Sequence, residues 1–168
     1  MRTSLYTDEN RPERRVAFFA GSFDPFTRGH EDIVLRALPL FDEVVIAIGI
    51  NPDKKGFLPI AVRKQWIESC LLGHKNVRVV TFDGLAANAA VEHGACCFIK
   101  GVRSAQDYEY EMQMAQVNHD LCGLDTILFY THPGLAHISS TVVRQLHALG
   151  QDIAPYLPDK APLNLLPK

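Results

Sequence analysis

No stretch of this 168-residue chain is apolar over anything near the ~20 residues that a bilayer-spanning helix needs, so a membrane-spanning helix is not expected. The first fifteen residues, MRTSLYTDENRPERR, lack the apolar centre of a secretion signal and mix charges of both signs around a proline. Residues 1–14 are expected to form a flexible N-terminal tail. An excess of one charge is also missing: 17 Lys plus Arg against 19 Asp plus Glu leave a net charge of −2. That argues against a general surface for nucleic acid or anionic membrane and makes any anion site a local one. Cysteine is sparse. Cys70, Cys96, Cys97 and Cys122 make no CxxC pair, and the seven histidines do not join them at zinc spacing. Cys96-Cys97 lies in the apolar run Ala95-Cys-Cys-Phe-Ile99 and reads as small buried residues of a strand. Reduced thiols suit a cytoplasmic protein. No internal repeat and no linker divides the chain.

What the chain does have is an alternation of apolar β-type runs with helical patterns. The runs at Arg15–Ala20, Glu43–Ile50, Val77–Phe82, Ala95–Ile99 and Thr126–Tyr130 are almost continuously hydrophobic, as strands are when both faces of a parallel sheet are covered. Helices are expected at Arg28–Phe41, Ile60–Leu72, Leu85–His93, Asp107–Leu121 and Ser139–Leu149, the last stopped by Gly150. The β-α-β-α order predicts an α/β fold: a Rossmann-like, doubly wound, parallel five-stranded sheet with helices on both faces, in a single domain over 15–160. Residues 161–168 are expected to form a C-terminal tail.

Ligands in such sheets bind beyond the carboxyl ends of the strands, where the strand order reverses. The residues with chemistry gather there. Ala20-Gly-Ser-Phe-Asp-Pro-Phe-Thr-Arg-Gly-His30 follows the first strand and opens the first helix. A glycine-rich turn into a helix start offers free N–H groups and a partial positive charge to a polyphosphate, and His30 is a donor within reach. Asn51-Pro-Asp-Lys-Lys-Gly56, Lys100-Gly-Val-Arg103 and His132 to Thr141 follow strands two, four and five. One rim therefore collects glycines, cations and hydroxyls, the set that suits a phosphorylated ligand.

These segments resemble a known family. Gly21-Ser-Phe-Asp-Pro-x-Thr-x-Gly-His30 looks like the (T/H)xGH signature of the nucleotidyltransferase superfamily, and Ile138-Ser-Ser-Thr-x-x-Arg144 resembles its second phosphate motif. Lys100-Gly-Val-Arg-Ser-Ala-Gln-Asp-Tyr-Glu-Tyr-Glu-Met112 is similar to the (R)GLRxxxDFEYEM segment of bacterial phosphopantetheine adenylyltransferases, and Asn51–Lys55 and Phe82–Asn88 match that family in place and order. The resemblance covers about residues 15–160. It implies an enzyme that joins ATP to 4′-phosphopantetheine with Mg2+, releasing pyrophosphate and 3′-dephospho-coenzyme A. It also implies a homohexamer, with coenzyme A as a feedback inhibitor.

Carried onto this sequence, the resemblance makes His30 the catalytic donor to the α-phosphate. It assigns Ser22, Lys54, Ala86 and Lys100 to the phosphopantetheine side. To ATP it assigns Ser22, Phe23, His30, Gly101, Val102, Arg103, Glu111, Leu135, Ala136, His137, Ile138, Ser139, Ser140 and Thr141, with Arg144 adding charge one turn on. Other readings of the same residues are simpler: Ser22 as a turn hydroxyl, Lys55 as a solvated charge, Glu111 as part of an exposed helix face, and Ser139 as a helix N-cap. Asp24-Pro25 reads as structural rather than as a metal site, and no metal ligands are assigned. Two residues depart from the family pattern. Lys100 stands where arginine is usual, keeping the charge without the planar fork, and Ala86 is smaller than the usual aliphatic. A nicotinate- or nicotinamide-mononucleotide adenylyltransferase shares GSFDP and ISSTxxR, but it has His at the place of Thr27 and lacks the DYEYEM-like segment. A non-catalytic nucleotide sensor of the same fold is the remaining alternative.

Overall fold

The computed structural model describes residues 14–51 and 55–167. Strands β1 (Val16–Gly21), β2 (Glu43–Gly49), β3 (Val77–Phe82), β4 (Cys97–Val102) and β5 (Thr126–Tyr130) make one parallel sheet in the order β3-β2-β1-β4-β5. Helices α1 (Arg28–Ala37), α2 (Ile60–Cys70), α3 (Ala86–Glu92) and α4 (Ala105–Cys122) connect the strands, and α5 (Ser140–Ala148) follows β5. This is the expected doubly wound sheet.

Alternation along the strands divides the core in two. Ala17, Phe19, Val44, Ile46, Ile48, Cys97 and Ile99 face one layer, where Ile33, Val34 and Ala37 of α1, Trp66, Ile67 and Cys70 of α2 and Val143 of α5 bury their apolar sides. Val16, Phe18, Ala20, Val45, Ala47 and Phe98 face the other layer, closed by Ala89 and Ala90 of α3 and by Cys122 at the end of α4. Helices therefore cover both faces, the condition under which strands can be apolar throughout. Ile153 and Leu157 of the Pro-rich C-terminal segment are buried in the first layer, and Ala161, Leu165 and Leu166 pack against it.

Some boundaries differ from the sequence expectation. Helix α1 stops at Ala37 rather than Phe41 because Pro39 has no N–H to continue the ladder, yet Phe41 is still buried. Helix α4 starts earlier than expected because Ser104 caps it, its side chain accepting the Asp107 N–H at 3.1 Å. It ends at Gly123, which takes φ 73°. Strand β4 runs on to Val102, so Lys100 and Gly101 lie inside the strand and not in the loop after it. A side chain at Gly101 would drive into Ile33 of α1, so glycine lets that helix lie close over the sheet.

Candidate active site

The sheet opens where its strand order reverses. β1 and β4 pair only at Ala17–Cys97 and Phe18–Phe98, although β1 continues to Gly21 and β4 to Val102. On their outer sides both strands stay paired to those ends. The gap between their carboxyl ends is a cleft of about 320 Å³. Its walls include Ser22, Phe23, Gly29 and His30 from the β1–α1 segment. Lys100, Gly101 and Arg103 come from β4 and the residues after it, Asp107 and Glu111 from α4, Thr131 from just after β5, and Ile138 to Thr141 from the entry and first turn of α5.

The β1–α1 loop is held from several directions. The buried carboxylate of Asp24 accepts the N–H groups of Phe57 and Leu58, both at 2.8 Å, and pairs with Arg63 at 3.1 Å. Asp24 is thus structural, as its sequence context suggests. The Asp24-Pro25 peptide is cis, and Phe23 sits at φ 45°. A bulky residue in that region is strained by roughly 1–3 kcal/mol. Burying its ring is worth about as much. The ring is 2% exposed and meets Phe19 edge-on at 5.1 Å.

His30 lies in the first turn of α1. Its Nδ1 accepts the backbone N–H of Thr27 at 3.0 Å, and the Thr27 hydroxyl is also 3.0 Å from that nitrogen. Thr27 is the N-cap and His30 the third helical residue, so the imidazole takes the capping-box place of a Glu or Gln. A backbone amide only donates, so Nδ1 is unprotonated and the ring proton is on Nε2. The ring stacks on Phe26 at 5.5 Å and meets Phe23 edge-on at 5.2 Å. Burial, with Arg103 and Lys100 nearby, pushes its pKa down from 6.5 to about 4. At neutral pH His30 is an uncharged donor of fixed tautomer.

The cations are held by carboxylates of α4. Lys100 Nζ lies 3.5 Å from Glu111 Oε2, both largely buried. Arg103 is clamped more tightly. Its Nε and NH2 donate to Asp107 at 2.8 and 3.3 Å, and its NH1 donates to the Ile138 carbonyl at 3.3 Å. The guanidinium holds the Asp107 carboxyl below the usual range. Glu111 is therefore not part of an exposed helix face, and Lys100 has its partner within the chain.

At the start of α5, Ser139 caps the helix by accepting the Val142 N–H at 3.1 Å. Ser140 Oγ donates to the Pro25 carbonyl at 2.8 Å, and Arg144 donates to the Asp24 carbonyl at 2.7 Å and to Thr141 Oγ1 at 3.0 Å. Arg144 thus ties α5 to the β1–α1 loop. A capped helix start with its N–H groups facing a cleft is an anion site.

Other sequence candidates lie around this cleft or away from it. Val102 is buried beside it, on the strand. Leu135, Ala136 and His137 lead into Ile138 through a short 3-10 turn, and the His137 ring lies against Tyr156. Ala86 starts α3 beyond β3 and is not among the cleft-lining residues. Lys54 lies outside the described residues, while Lys55 is exposed. Asp107 and Thr131 are site residues not singled out in the sequence. Asp107 has a local signal, four residues after Arg103 on a helix. Thr131 has none.

Residues 18–146 match a family model described as cytidylyltransferase-like. The phosphopantetheine adenylyltransferase of Cytophaga hutchinsonii is 47% identical over 147 residues, spanning 87% of this chain and 98% of that protein. That of Porphyromonas gingivalis is 43% identical, spanning 88% and 96%. That of Streptococcus pneumoniae is 44% identical, spanning 86% and 91%. Among solved structures, a bifunctional NMN adenylyltransferase/ADP ribose pyrophosphatase from Francisella tularensis, complexed with AMP and a manganese ion, superposes with a TM-score of 0.66 at 20% identity. The match covers 89% of this chain and 46% of that one. At that identity the likeness speaks for the fold alone. With close relatives aligned along almost their whole length, the chain belongs to the phosphopantetheine adenylyltransferase family.

Proposed function

We propose that this protein transfers the adenylyl group of ATP to 4′-phosphopantetheine, releasing pyrophosphate and forming 3′-dephospho-coenzyme A. The phosphopantetheine phosphate is already an anion at neutral pH, so in-line attack on the α-phosphorus needs no strong general base. What the reaction needs is two polyanions held in register and charge stabilised on a five-coordinate phosphorus. The observation that carries the reading is His30: a neutral imidazole, its proton confined to Nε2 by Thr27, on the wall of a cleft shared with Lys100, Arg103 and the start of α5. Nε2–H donates to the α-phosphate as charge develops there. Ser139, Ser140 and Thr141, with Arg103, receive the β- and γ-phosphates, and Lys54 and Lys100 receive the phosphate of the acceptor.

The described residues hold no group of three or more His, Cys, Asp or Glu side chains fit to bind a metal, and the two cleft carboxylates are each engaged by a cation. A resident metal does not fit this donor set. Magnesium enters as part of the ATP complex, held by phosphates and water. The exposed apolar side chains of Tyr108, Val117 and Leu121 on α4 and of Ile127 and Tyr130 on edge strand β5 support self-association, and the family resemblance points to a homohexamer. Free Cys70, Cys96, Cys97 and Cys122 fit a reducing cytoplasm. Coenzyme A, sharing the product's groups, would compete at the same cleft as a feedback inhibitor.

The test is pyrophosphate release from magnesium-ATP with phosphopantetheine or with nicotinate mononucleotide. Release with the first alone is expected. Release with the second alone would assign the chain to the other adenylyltransferase, and ATP binding without release from either would make it a sensor. His30→Ala should lower turnover by about 10² or more while ATP still binds. Unchanged rates would remove His30 from the chemistry.

A further inference from the structure

Arg63 of α2 does not line the cleft, yet it joins the two loops that border it. The side chain is buried, with 8% exposure. Each guanidinium nitrogen has its own partner. Nε donates to the Leu58 carbonyl at 2.7 Å, NH1 donates to the Ser22 carbonyl at 3.2 Å, and NH2 lies 3.1 Å from Asp24 Oδ2. The same Asp24 carboxylate accepts the Phe57 and Leu58 N–H groups. Two buried charges therefore neutralise each other and stitch Ser22 and Asp24, after β1, to Phe57 and Leu58, before α2. Gly56 passes directly against the guanidinium, and a Cβ there would overlap Arg63 NH2.

The two halves of the cleft are tied to the same β1–α1 loop through different groups. Arg144 and Ser140 hold the start of α5 to the carbonyls of Asp24 and Pro25, which fixes the helix end assigned above to ATP. Arg63 fixes the other junction. Phe57 follows Lys54, the lysine assigned to the acceptor phosphate, by three residues in the sequence.

We infer that Arg63 is a positioning residue for the acceptor: by joining the Asp24 loop to the segment before α2 it sets the register between the two substrates, without touching either. This rests on the proposed adenylyl transfer. Lysine in its place keeps the charge but offers one donor centre instead of a fork with three fixed directions. Small misplacements of reacting groups cost about 10²-fold in rate.

The experiment compares wild type, Arg63→Lys and Gly56→Ala, the last displacing the guanidinium while leaving both charges in place. Three quantities are measured: ATP affinity by calorimetry, kcat/KM for phosphopantetheine, and amide exchange at Phe57 and Leu58 without substrate. The expected result is a split. ATP affinity stays within about threefold, kcat/KM for phosphopantetheine falls by about 30-fold or more, and the two amides exchange faster while the β1 and β2 amides stay protected. If Arg63→Lys fails to fold, Gly56→Ala gives the same readings. Turnover within threefold of wild type, loss of ATP affinity in step with kcat/KM, or unchanged exchange at Phe57 and Leu58 would each overturn the inference. A wild-type protein inactive with phosphopantetheine would instead overturn the proposed reaction, and amide exchange alone would then decide whether Arg63 orders the loop.

Discussion

His30 Nδ1 and the Thr27 backbone N–H are 3.0 Å apart, and that one hydrogen bond decides which nitrogen of the imidazole carries the proton. The same bond resists protonation of Nδ1, beside the burial and the two cations that bring the pKa from 6.5 to about 4. The consequence for stability has a definite sign. As pH falls below 6.5 the unfolded chain takes up a proton at this residue and the folded chain does not, so folding loses stability between pH 6.5 and 4. The loss has an upper bound of about 3 kcal/mol for a shift of this size. His30→Gln removes the titration. The stability of wild type relative to the variant, from urea unfolding, should fall by about 1–3 kcal/mol from pH 7 to pH 4.5. A difference that stays constant with pH would show that the folded ring titrates normally.

Lys100 and Glu111 sit 3.5 Å apart inside the cleft, so an incoming phosphate competes with a carboxylate for the ammonium. Removing the competitor should help the phosphate. Glu111→Gln is expected to bind 4′-phosphopantetheine about 3- to 10-fold more tightly, the equivalent of a partly buried ion pair. Lys100→Ala should weaken binding by more than tenfold, since it leaves a carboxylate facing the anion. The double variant should fall between wild type and Lys100→Ala. Calorimetry at fixed ionic strength checks the series, and a double variant no better than Lys100→Ala would mean that the pair does not act as a unit. Lys100→Arg restores the bidentate fork and should change substrate affinity or turnover. A variant equal to wild type in both would make the lysine an innocent replacement.

The strands were readable because burial on both faces leaves long apolar runs. Val77–Phe82 and Thr126–Tyr130 lie where those runs put them. Strand β4 was harder. Lys100 and Gly101 interrupt its apolar run, and nothing local indicates that Glu111, on the next helix, neutralises the lysine so that the strand can continue to Val102. Phe41 suggests a longer α1 because it is apolar in helical register, but its burial is reached through a turn after Pro39. The motif residues Ser22, His30 and Ser139 to Thr141 converge on one cleft because all follow strands at one edge of a parallel sheet. The contacts that hold them were not legible. The Asp24–Arg63 pair and the bonds from Arg144 and Ser140 to the loop carbonyls join segments far apart in the chain. A single sequence carries no periodic signal for such pairs.

Phe23 combines a left-handed backbone, φ 45°, with a ring that is 2% exposed. The two features act in opposite directions on stability and can be separated by substitution. Phe23→Ala removes the burial, at a cost of about 3–5 kcal/mol, and keeps a Cβ in the strained conformation. Phe23→Gly removes the same burial and also the strain, worth about 1–2 kcal/mol in this region. Against that, glycine loosens the unfolded chain by about 0.4–1 kcal/mol. The glycine variant is therefore expected to be at least as stable as the alanine variant, the reverse of the order at an ordinary backbone position, where glycine is weaker by roughly 0.5–1 kcal/mol. Urea unfolding of the three proteins measures it. An alanine variant more stable than the glycine variant by about 1 kcal/mol would mean that the loop stores no strain at Phe23, and that its hold on Ser22 comes from the Arg63, Arg144 and Ser140 bonds alone.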